Sequence, residues 1–556
     1  MNPIAAPEDE GQAIEIQEKK EAQGLQSICK RKETCADVHL IRLILHRYRY
    51  RPSSSPLDST TTRVEDKKQG EIKNLKQKQL FWAALFEEKK LASQLASIAT
   101  KHVEGITYDD MPQYGQIHVK VESDSTLGDN FQSDTFIVTA QLTRTNNTVK
   151  DDTCISTLST FVKVPSNSFL RQAAYEMRTH PREISMYHNL FRLLREVHED
   201  EPIPLDDLIP DVYYSHIEDI IAGETDGSGT STLLENLKAE GYLMADKVEG
   251  ADLRHCHMAL TSLAHYHALT LSAVRKWKDP ATGKLSQVPS CAKFLVEEKT
   301  FYEYGMEKYI KNSFKCFLDF VQKEERPDLG EWLAELIQRL PEIILVDTLE
   351  SSGPLACILH GDYWINNMLF KYHDESHTQV GEESSSIPLC LKMINFQVSR
   401  IGHPLSDVLY FFYTSTKPET REKHMLVLLR YYFGTLDANL LLLGVSLDDY
   451  TWQDFLADYK KRSLMWMFMG VMVLSGLLKS VSNLQDLDAE EKLKGPKPET
   501  NMETIKGEMG ISLEMEETMK NMMVSYELSD SSTLSESLIK LMDEYELQLE
   551  NYFRIQ

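Results

Sequence analysis

Apolar side chains recur at every second position in one stretch of the first third of the chain, and a second extended stretch follows it closely. The alternating apolar residues are Phe136, Val138, Ala140 and Leu142. The second stretch spans residues 155–164 and comes after the polar pair Asn146 and Asn147. Alternation with a period of two is typical of half-buried strands, and a polar turn joins strands that lie side by side. The pattern predicts a β-hairpin in a small sheet.

Helical periodicity occurs on both sides of this hairpin. Residues 80–98 place apolar side chains on one face of a helix, and residues 169–197 show the same pattern after the second strand. A helix that follows a hairpin this closely is expected to pack on the sheet. Farther along, residues 251–345 and 419–480 predict long helices. Because strands come first and helices later, the expected fold class is α+β.

Composition changes towards both ends of the chain. Residues 1–77 mix Glu, Gln, Lys, Ser and Thr with few apolar positions, which predicts a disordered leader. Residues 482–512 are charged and interrupted by Gly and Pro, so a loop or linker is expected there. Residues 513–556 contain a last helical segment, with Thr533 and Glu536 at the spacing of a capping box.

Two apolar stretches raise the question of membrane contact. Residues 40–50 combine Leu, Ile and Tyr with Arg, which suits either a membrane-surface or partner-binding helix or, as composition favours, a locally structured piece of linker. Residues 464–478 are apolar but shorter than the roughly 20 residues that a spanning helix needs. The second stretch therefore predicts a buried core helix, and membrane association is not expected.

Charge and cysteine spacing narrow the range of partners. The chain has 556 residues, a net charge of -25 and an isoelectric point near 5.2, so its field repels phosphate backbones and no nucleic-acid partner is expected. None of its eight cysteines has CxxC spacing, which favours free thiols in a reducing compartment. The acidic, polar first residues lack the features of a signal peptide, which predicts a cytoplasmic location. Nothing in the sequence identifies a protein partner.

A short polar sequence lies between apolar flanks at residues 358–370. At its centre stand Asp362 and Asn367, five residues apart. Phosphoryl transfer uses a carboxylate to orient or deprotonate the attacking hydroxyl, and an amide oxygen nearby to help hold a metal ion. Kinase catalytic loops carry Asp and Asn at this spacing. An Asx-rich turn whose side chains satisfy the loop backbone is the alternative.

The complete string is more specific than this pair. It matches an HGDxWxxN signature at His360, Gly361, Asp362, Trp364 and Asn367. The chain therefore resembles the ecdysteroid kinase-like, or CHK kinase-like, family, whose relatives include choline kinases and aminoglycoside phosphotransferases. The resemblance implies a bilobal protein-kinase-like fold, with a small N-terminal β-sheet lobe and one packed helix in residues 78–238. A larger, mostly helical lobe would then occupy residues 239–481.

The resemblance also assigns residues to ATP. Lys163, at the end of the second strand, would grip the phosphates, and Glu183 on the following helix would pair with it, with Glu176 as the competing glutamate. The alternatives are an ordinary exposed strand lysine at Lys163 and a plain turn at Gly128. The glycine-containing phosphate loop would contribute Gly128, Asn130 and Ser133 to nucleotide binding. The hinge would contribute Glu235 and Leu237, and in this hinge Asn236 replaces an Asp.

One position departs from the family pattern. The Asp-Phe-Gln motif that follows the catalytic loop begins here with Asn395. The resemblance assigns Asn367 and Asn395 to Mg²⁺, a hard cation that is usually held by one or two carboxylates together with phosphates. Loss of a carboxylate at this point predicts a weakened metal site.

Three further residues are expected to support the loop rather than to react. They are His360 and Trp364 within the signature, and Asp407 at the start of a later helix. Asp407 would steady the catalytic loop, although an ordinary helix N-terminal carboxylate is the alternative. His267 is expected to be a packed helical histidine rather than a ligand.

Two hypotheses of function follow. In the first, the chain is an ATP-dependent kinase that phosphorylates a hydroxyl of a lipid-like or steroid-like molecule, the ecdysteroid class being implied by the resemblance alone. In the second, it is a pseudokinase that binds nucleotide or ligand without efficient turnover, because Asn395 replaces the metal-binding Asp. Asp362, Asn367, Lys163 and Glu183 favour the enzyme, whereas Asn395 and Asn236 favour the pseudokinase.

Overall fold

The structure of the protein is a computed structural model. The structure describes these ranges, with a few further positions between 91 and 473: 78–88, 106–111, 115–124, 133–144, 153–165, 178–198, 204–217, 230–246, 249–297, 353–372, 387–447 and 449–467. The predicted leader, the 482–512 linker and the 513–556 helical segment lie outside the described residues, as do Gly128, Asn130 and Glu176.

Six neighbouring strands, all paired antiparallel, build the first part of the fold. The strands are β1 (Ile106–Met111), β2 (Gly115–Ser123), β3 (Ser133–Arg144), β4 (Thr153–Pro165), β5 (Val212–His216) and β6 (Ser231–Glu235). They form one six-stranded sheet in the order β1-β2-β3-β4-β6-β5. The predicted hairpin is confirmed as β3 and β4, which pair over their whole length and place Thr135 opposite Lys163.

The inward side chains of this sheet form a core of their own. Val119, Val138, Val162 and Leu233 are buried there, each on a different strand. The helix that covers them is α1, which spans residues 78–83 and continues as a π-helical turn, Ala84–Glu88. Trp82 is fully buried in this core, which agrees with the amphipathic pattern at the start of the ordered chain.

A helix with an irregular middle follows the hairpin. It consists of α2 (Thr179–Ser185), a π-helical turn (Met186–Leu190) and α3 (Phe191–Val197). Its apolar side chains Leu190, Phe191 and Leu194 join the larger core of the second lobe, while the polar side of α2 meets β4. This helix therefore links the sheet to the rest of the molecule.

Helices of different lengths build the second lobe around a large core. They are α4 (Leu253–Trp277), the short α5 (Phe294–Glu297), α6 (Leu405–Ser415), α7 (Pro418–Leu442) and α8 (residues 452–467). The prediction of helix across 251–345 was wrong immediately after Trp277. There Pro280 and Gly283 belong to a turn, in which the Asp279 carboxylate accepts hydrogen bonds from two backbone N–H groups. Pro lacks the N–H that a helix interior needs, and Gly283 adopts a positive φ of 66°.

One described helix is long and apolar enough, by length and composition, to cross a membrane. It is α7, and a single helix of this kind is weak support for a membrane span because core helices pass the same test. Leu428, Leu429 and Leu436 on α7 are buried, and the helix packs along α4. The apolar run that begins at Leu464 continues α8, where Met465, Trp466 and Met467 are also buried.

Short strands frame the polar loop of the signature. β7 (Tyr242–Met244), β9 (Met368–Tyr372) and β10 (Pro388–Met393) form one small sheet, and β8 (Cys357–Leu359) pairs with β11 (Arg400–Gly402). The loop leaves β8 and enters β9, and the segment 394–399 leaves β10 and enters β11. Both polar connections therefore begin and end on buried strands, which fixes them beside each other.

Candidate active site

A glycine in a left-handed conformation shapes the loop at its start. Gly361 has a φ of 85°, and a Cβ built on it would lie 2.4 Å from the carbonyl oxygen of Val398. Real side chains do not tolerate so short a contact with backbone, and L-residues avoid this φ. Only glycine lets the loop pass this close to the 394–399 segment.

The carboxylate of Asp407 holds the same part of the loop through hydrogen bonds to its backbone. Oδ2 accepts from the backbone N–H of His360 at 2.7 Å, and Oδ1 accepts from that of Gly361 at 2.9 Å. His267 Nε2 lies 3.0 Å from Oδ2. Although burial favours the protonated acid, these hydrogen bonds and the nearby histidines hold the pKa of Asp407 below its usual range. Asp407 is thus a buried carboxylate with donors on both oxygens.

The ring of His360 ties the loop to the neighbouring segment. Nε2 lies 2.8 Å from the carbonyl oxygen of Ile394, and Nδ1 accepts from the N–H of Asp362 at 3.3 Å. These partners place the proton on Nε2, because a carbonyl can only accept. Burial lowers the pKa of His360, so the ring is neutral. Its centroid lies 4.4 Å from that of Phe396, which completes the contact.

Both oxygens of Asp362 are held by side chains. The hydroxyl of Tyr410 donates to Oδ1 at 2.9 Å, and Nδ2 of Asn367 donates to Oδ2 at 2.8 Å and to the backbone carbonyl of Asp362 at 2.8 Å. Burial raises the pKa of Asp362 above the usual aspartate value, although these two hydrogen bonds and His360 oppose the shift. The carboxylate is fixed in orientation, and a raised pKa makes it a better proton acceptor.

Lys163 lies between two acceptors on the opposite side of the site. Nζ donates to Oε2 of Glu183 at 2.7 Å and to Oδ1 of Asn395 at 3.0 Å. The side chains of Lys163 and Glu183 are 4% and 2% exposed, so this ion pair is buried. Of the two glutamates considered in the sequence, Glu183 makes the pair, and Glu176 lies outside the described residues.

The amide of Asn395 joins Lys163 to the catalytic loop. Its Nδ2 donates to Oδ1 of Asn367 at 2.7 Å. Asn395 also has a positive φ of 66°, a conformation that Asn adopts more readily than most residues. The two oxygens predicted to meet Mg²⁺, Oδ1 of Asn367 and of Asn395, therefore each accept a hydrogen bond from a side chain. Since neither is a carboxylate, the residues present do not fit a dedicated Mg²⁺ site.

No cluster of three or more His, Cys, Asp or Glu side chains able to hold a metal occurs within the part of the chain that the structure describes. The weakened metal site expected from Asn395 stays a prediction.

The predicted hinge is held by contacts of its own. The Glu235 carboxylate accepts from Nζ of Lys392 at 2.7 Å and from the N–H of Asp211 at 3.2 Å. Asn236 Nδ2 donates to Oγ of Ser159 at 2.7 Å. The carbonyl of Leu237 accepts from the N–H of Tyr242 at 2.9 Å, which closes the turn after β6. The side chains of the hinge thus serve its shape, and adenine recognition by Glu235 and Leu237 stays a prediction about their backbone.

Two other predicted residues lie at the edges of this arrangement. Ser133, assigned to the phosphate loop, is buried at the start of β3, with Oγ 3.4 Å from Nε2 of His180 on α2. Trp364 is half-buried against the large core, and its Nε1 has no hydrogen-bond partner among the described residues. The structure brings together the Lys163–Glu183 pair, Asn395, the catalytic loop and Asp407. A phosphate-binding role for Ser133 stays a prediction.

Comparison with known proteins identifies the family. The ecdysteroid kinase-like family matches residues 127–445, more than half of the chain. The chain belongs to the ecdysteroid kinase-like family. Among curated proteins, no match was found.

Solved structures similar to this family member include two antibiotic phosphotransferases. One is the macrolide 2'-phosphotransferase apoenzyme from Brachybacterium faecium, with 10% identity, 68% of this chain and 93% of that chain covered, and a TM-score of 0.28. The other is a GDP complex of a point mutant of aminoglycoside 2'-phosphotransferase-IIIa, with 14% identity, coverage of 66% and 92%, and a TM-score of 0.28.

Membership confirms the resemblance drawn from the HGDxWxxN string and the α+β kinase-like fold. It makes this chain a kinase-like member of a small-molecule phosphotransferase family, and such folds use a nucleotide as phosphoryl donor.

Sequence reasoning did not identify every residue of this family member's site. Tyr410, which holds Asp362, was missed, although it follows Asp407 by three positions on a helix and so lies on the same face. Lys392 was missed as well, because its partner Glu235 is 157 positions away in the chain. The first carried a local signal and the second carried none.

Proposed function

We propose that this protein is an ATP-dependent phosphotransferase that transfers the γ-phosphoryl group to a hydroxyl of a lipid-like or steroid-like small molecule in the cytoplasm. The observation that carries the proposal is the Asp362 carboxylate, whose two oxygens are held by Tyr410 and Asn367. A carboxylate fixed in this way can orient an attacking hydroxyl and accept its proton. The steroid-like acceptor rests on the family alone.

Each residue of the site has a distinct task in this proposal. Asp362 orients the acceptor hydroxyl and takes its proton as the new bond to phosphorus forms. Lys163 donates two of its three N–H groups to Glu183 and Asn395, which leaves the third for a phosphate oxygen of the nucleotide. The bond between the γ-phosphorus of ATP and its bridging oxygen would break, and ADP would leave with that oxygen. Asp407 touches no reactant and acts by fixing the loop that carries Asp362.

Turnover measurements test this proposal. ATP consumption would be measured with a panel of hydroxylated lipids and steroids, in Mg²⁺ and in Mn²⁺, for the natural chain and for Asp362→Asn. We expect product with at least one acceptor and a loss of about 10²- to 10⁴-fold in Asp362→Asn, the usual contribution of a positioned base.

The matched control is Asp206→Asn, which removes an exposed carboxylate that pairs with Arg195. It should leave turnover unchanged. If Asp362→Asn retained the full rate while phosphorylated product accumulated, Asp362 would not be the base.

A pseudokinase is the second candidate, and Asn395 is the specific observation that favours it. Its amide occupies the place of a metal-binding carboxylate and engages both Lys163 and Asn367. On this hypothesis the chain binds nucleotide, turns over no acceptor in the panel, and gains turnover in Asn395→Asp. That gain should disappear when Asp362→Asn is added. Turnover by the natural chain would exclude this candidate.

A further inference from the structure

A continuous line of hydrogen bonds crosses the site from a cation to an anion. It runs from Nζ of Lys163 to Oδ1 of Asn395, from Nδ2 of Asn395 to Oδ1 of Asn367, and from Nδ2 of Asn367 to Oδ2 of Asp362. The three distances are 3.0, 2.7 and 2.8 Å. We call these four residues the amide ladder.

The chemistry of its two ends sets the direction of the amide ladder. An ammonium group only donates, so Oδ1 of Asn395 must face Lys163, and Nδ2 must then face Asn367. An ionised carboxylate only accepts, so Nδ2 of Asn367 must face Asp362. Reversing either amide would oppose two donors or two acceptors. The ladder is therefore consistent from both ends, which assigns the amide orientations without ambiguity.

An aspartate in place of Asn395 would break the amide ladder. It has no N–H to give to Asn367, whose own N–H group is engaged by Asp362. It would also add a negative charge beside Lys163, whose single positive charge already pairs with Glu183. The neutral amide keeps the site complete without another cation, whereas an aspartate would need one.

We infer that this protein binds nucleoside triphosphate without a divalent cation, with the third N–H of Lys163 on the phosphates. The inference rests on the proposed nucleotide cleft and deepens it. Two observations carry it: both oxygens at the metal positions accept side-chain hydrogen bonds, and the residue that would bring in the cation carries no charge. Lys163 is 4% exposed, so its charge acts in a poorly solvated place, where it is little screened.

Direct binding measurements test the inference. Isothermal titration calorimetry of the full chain with ATP would be carried out in EDTA and in millimolar Mg²⁺. For the natural chain we expect Kd values that differ by less than about threefold between the two buffers, under 1 kcal/mol. For Asn395→Asp we expect binding in EDTA to weaken by about tenfold or more and to be regained with Mg²⁺.

Asn189→Asp is the matched control, since it adds the same charge at a half-buried position outside the amide ladder. It should bind ATP as the natural chain does in both buffers. Lys163→Met should lose ATP binding in both buffers. Thermal unfolding of each variant shows whether it is folded, and the natural chain alone decides the question if Asn395→Asp does not fold.

The outcomes separate this inference from the proposed function. Binding by the natural chain that needs Mg²⁺, or no binding of ATP in either buffer, would overturn the inference. If binding needs Mg²⁺ and phosphorylated product still forms, the proposed function stands and the inference fails. If binding is indifferent to Mg²⁺ and no acceptor is phosphorylated, the inference stands and the proposed function fails.

Discussion

Substitution of Asp407 by Asn tests whether one buried carboxylate holds the catalytic loop. The change keeps the size of the side chain but leaves one acceptor oxygen where there were two. If that oxygen stays with Gly361, the new NH₂ group faces the N–H of His360 and Nε2 of His267. His267 can move its proton to Nδ1 and accept, whereas a backbone N–H can only donate. At least one buried N–H is therefore left without its acceptor.

The cost follows from that lost contact. A hydrogen bond to a charged group contributes about 1.5–3 kcal/mol, and a buried donor left without a partner costs about 1–3 kcal/mol. These terms overlap, so we expect Asp407→Asn to lower the free energy of unfolding by about 2–4 kcal/mol. Turnover should fall as well, because Asp362 comes directly after His360 and Gly361, whose backbone N–H groups Asp407 holds.

Urea unfolding followed by tryptophan fluorescence measures this loss, with Asp252→Asn as the control. Asp252 caps α4 by accepting from the N–H of His255 at 2.9 Å, and Asn caps helices about as well as Asp. We expect the control to change stability by less than about 1 kcal/mol. If Asp407→Asn were no more destabilising than Asp252→Asn and kept full turnover, the loop would be held by other contacts and the reasoning would be refuted.

Two further substitutions address the loop and its base. Gly361→Ala should destabilise the protein by about 2–4 kcal/mol, because its Cβ would meet the Val398 carbonyl at a φ that L-residues avoid. Gly434→Ala, in the middle of α7 with no atom within 4 Å of its Cβ, should instead stabilise by about 0.5–1 kcal/mol; equal effects in urea unfolding would contradict this account. Tyr410→Phe removes a hydrogen bond that lowers the pKa of Asp362, so that pKa should rise. Because the base must be ionised, the acidic limb of the pH–rate profile should then move to higher pH, and an unchanged limb would show that Asp362 does not control it.

Local pattern was sufficient for part of the fold. The alternation in β3 predicted the hairpin, and the structure shows that the apolar flanks of the signature loop are buried strands. β6 was not predicted because its first four residues are all buried, so its sequence shows no alternation of apolar and polar positions. The turn after α4 was missed although Pro280 and Gly283 mark it. The lobe boundary at residue 238 and the roles of both extensions stay predictions.

For the site, the sequence predicted the residues and one contact, the pair of Lys163 and Glu183, but not the remaining contacts. Family motifs pointed to Lys163, Glu183, Asp362, Asn367 and Asn395, and the structure places them in contact. The bond from Lys163 to Asn395 joins residues 232 positions apart, so no local spacing could indicate it. The sequence showed that Asn395 lacks a charge. It could not show that the amide of Asn395 donates to Asn367. With this hydrogen bond, Asn395 supplies a contact in place of the charge that an aspartate would bring.

The π-helical turn at Met186–Leu190 has a consequence for helix register. Glu183 meets Lys163 and Phe191 meets Phe396, although eight positions in a regular helix would leave their directions about 80° apart. One extra residue absorbed in the turn reduces the count to seven, which brings the two directions to within about 20°. Removing the extra residue would leave a regular helix in which seven positions separate the two side chains, so their directions would stay within about 20° of each other. The turn thus accommodates an additional residue in the helix without turning Glu183 away from Lys163.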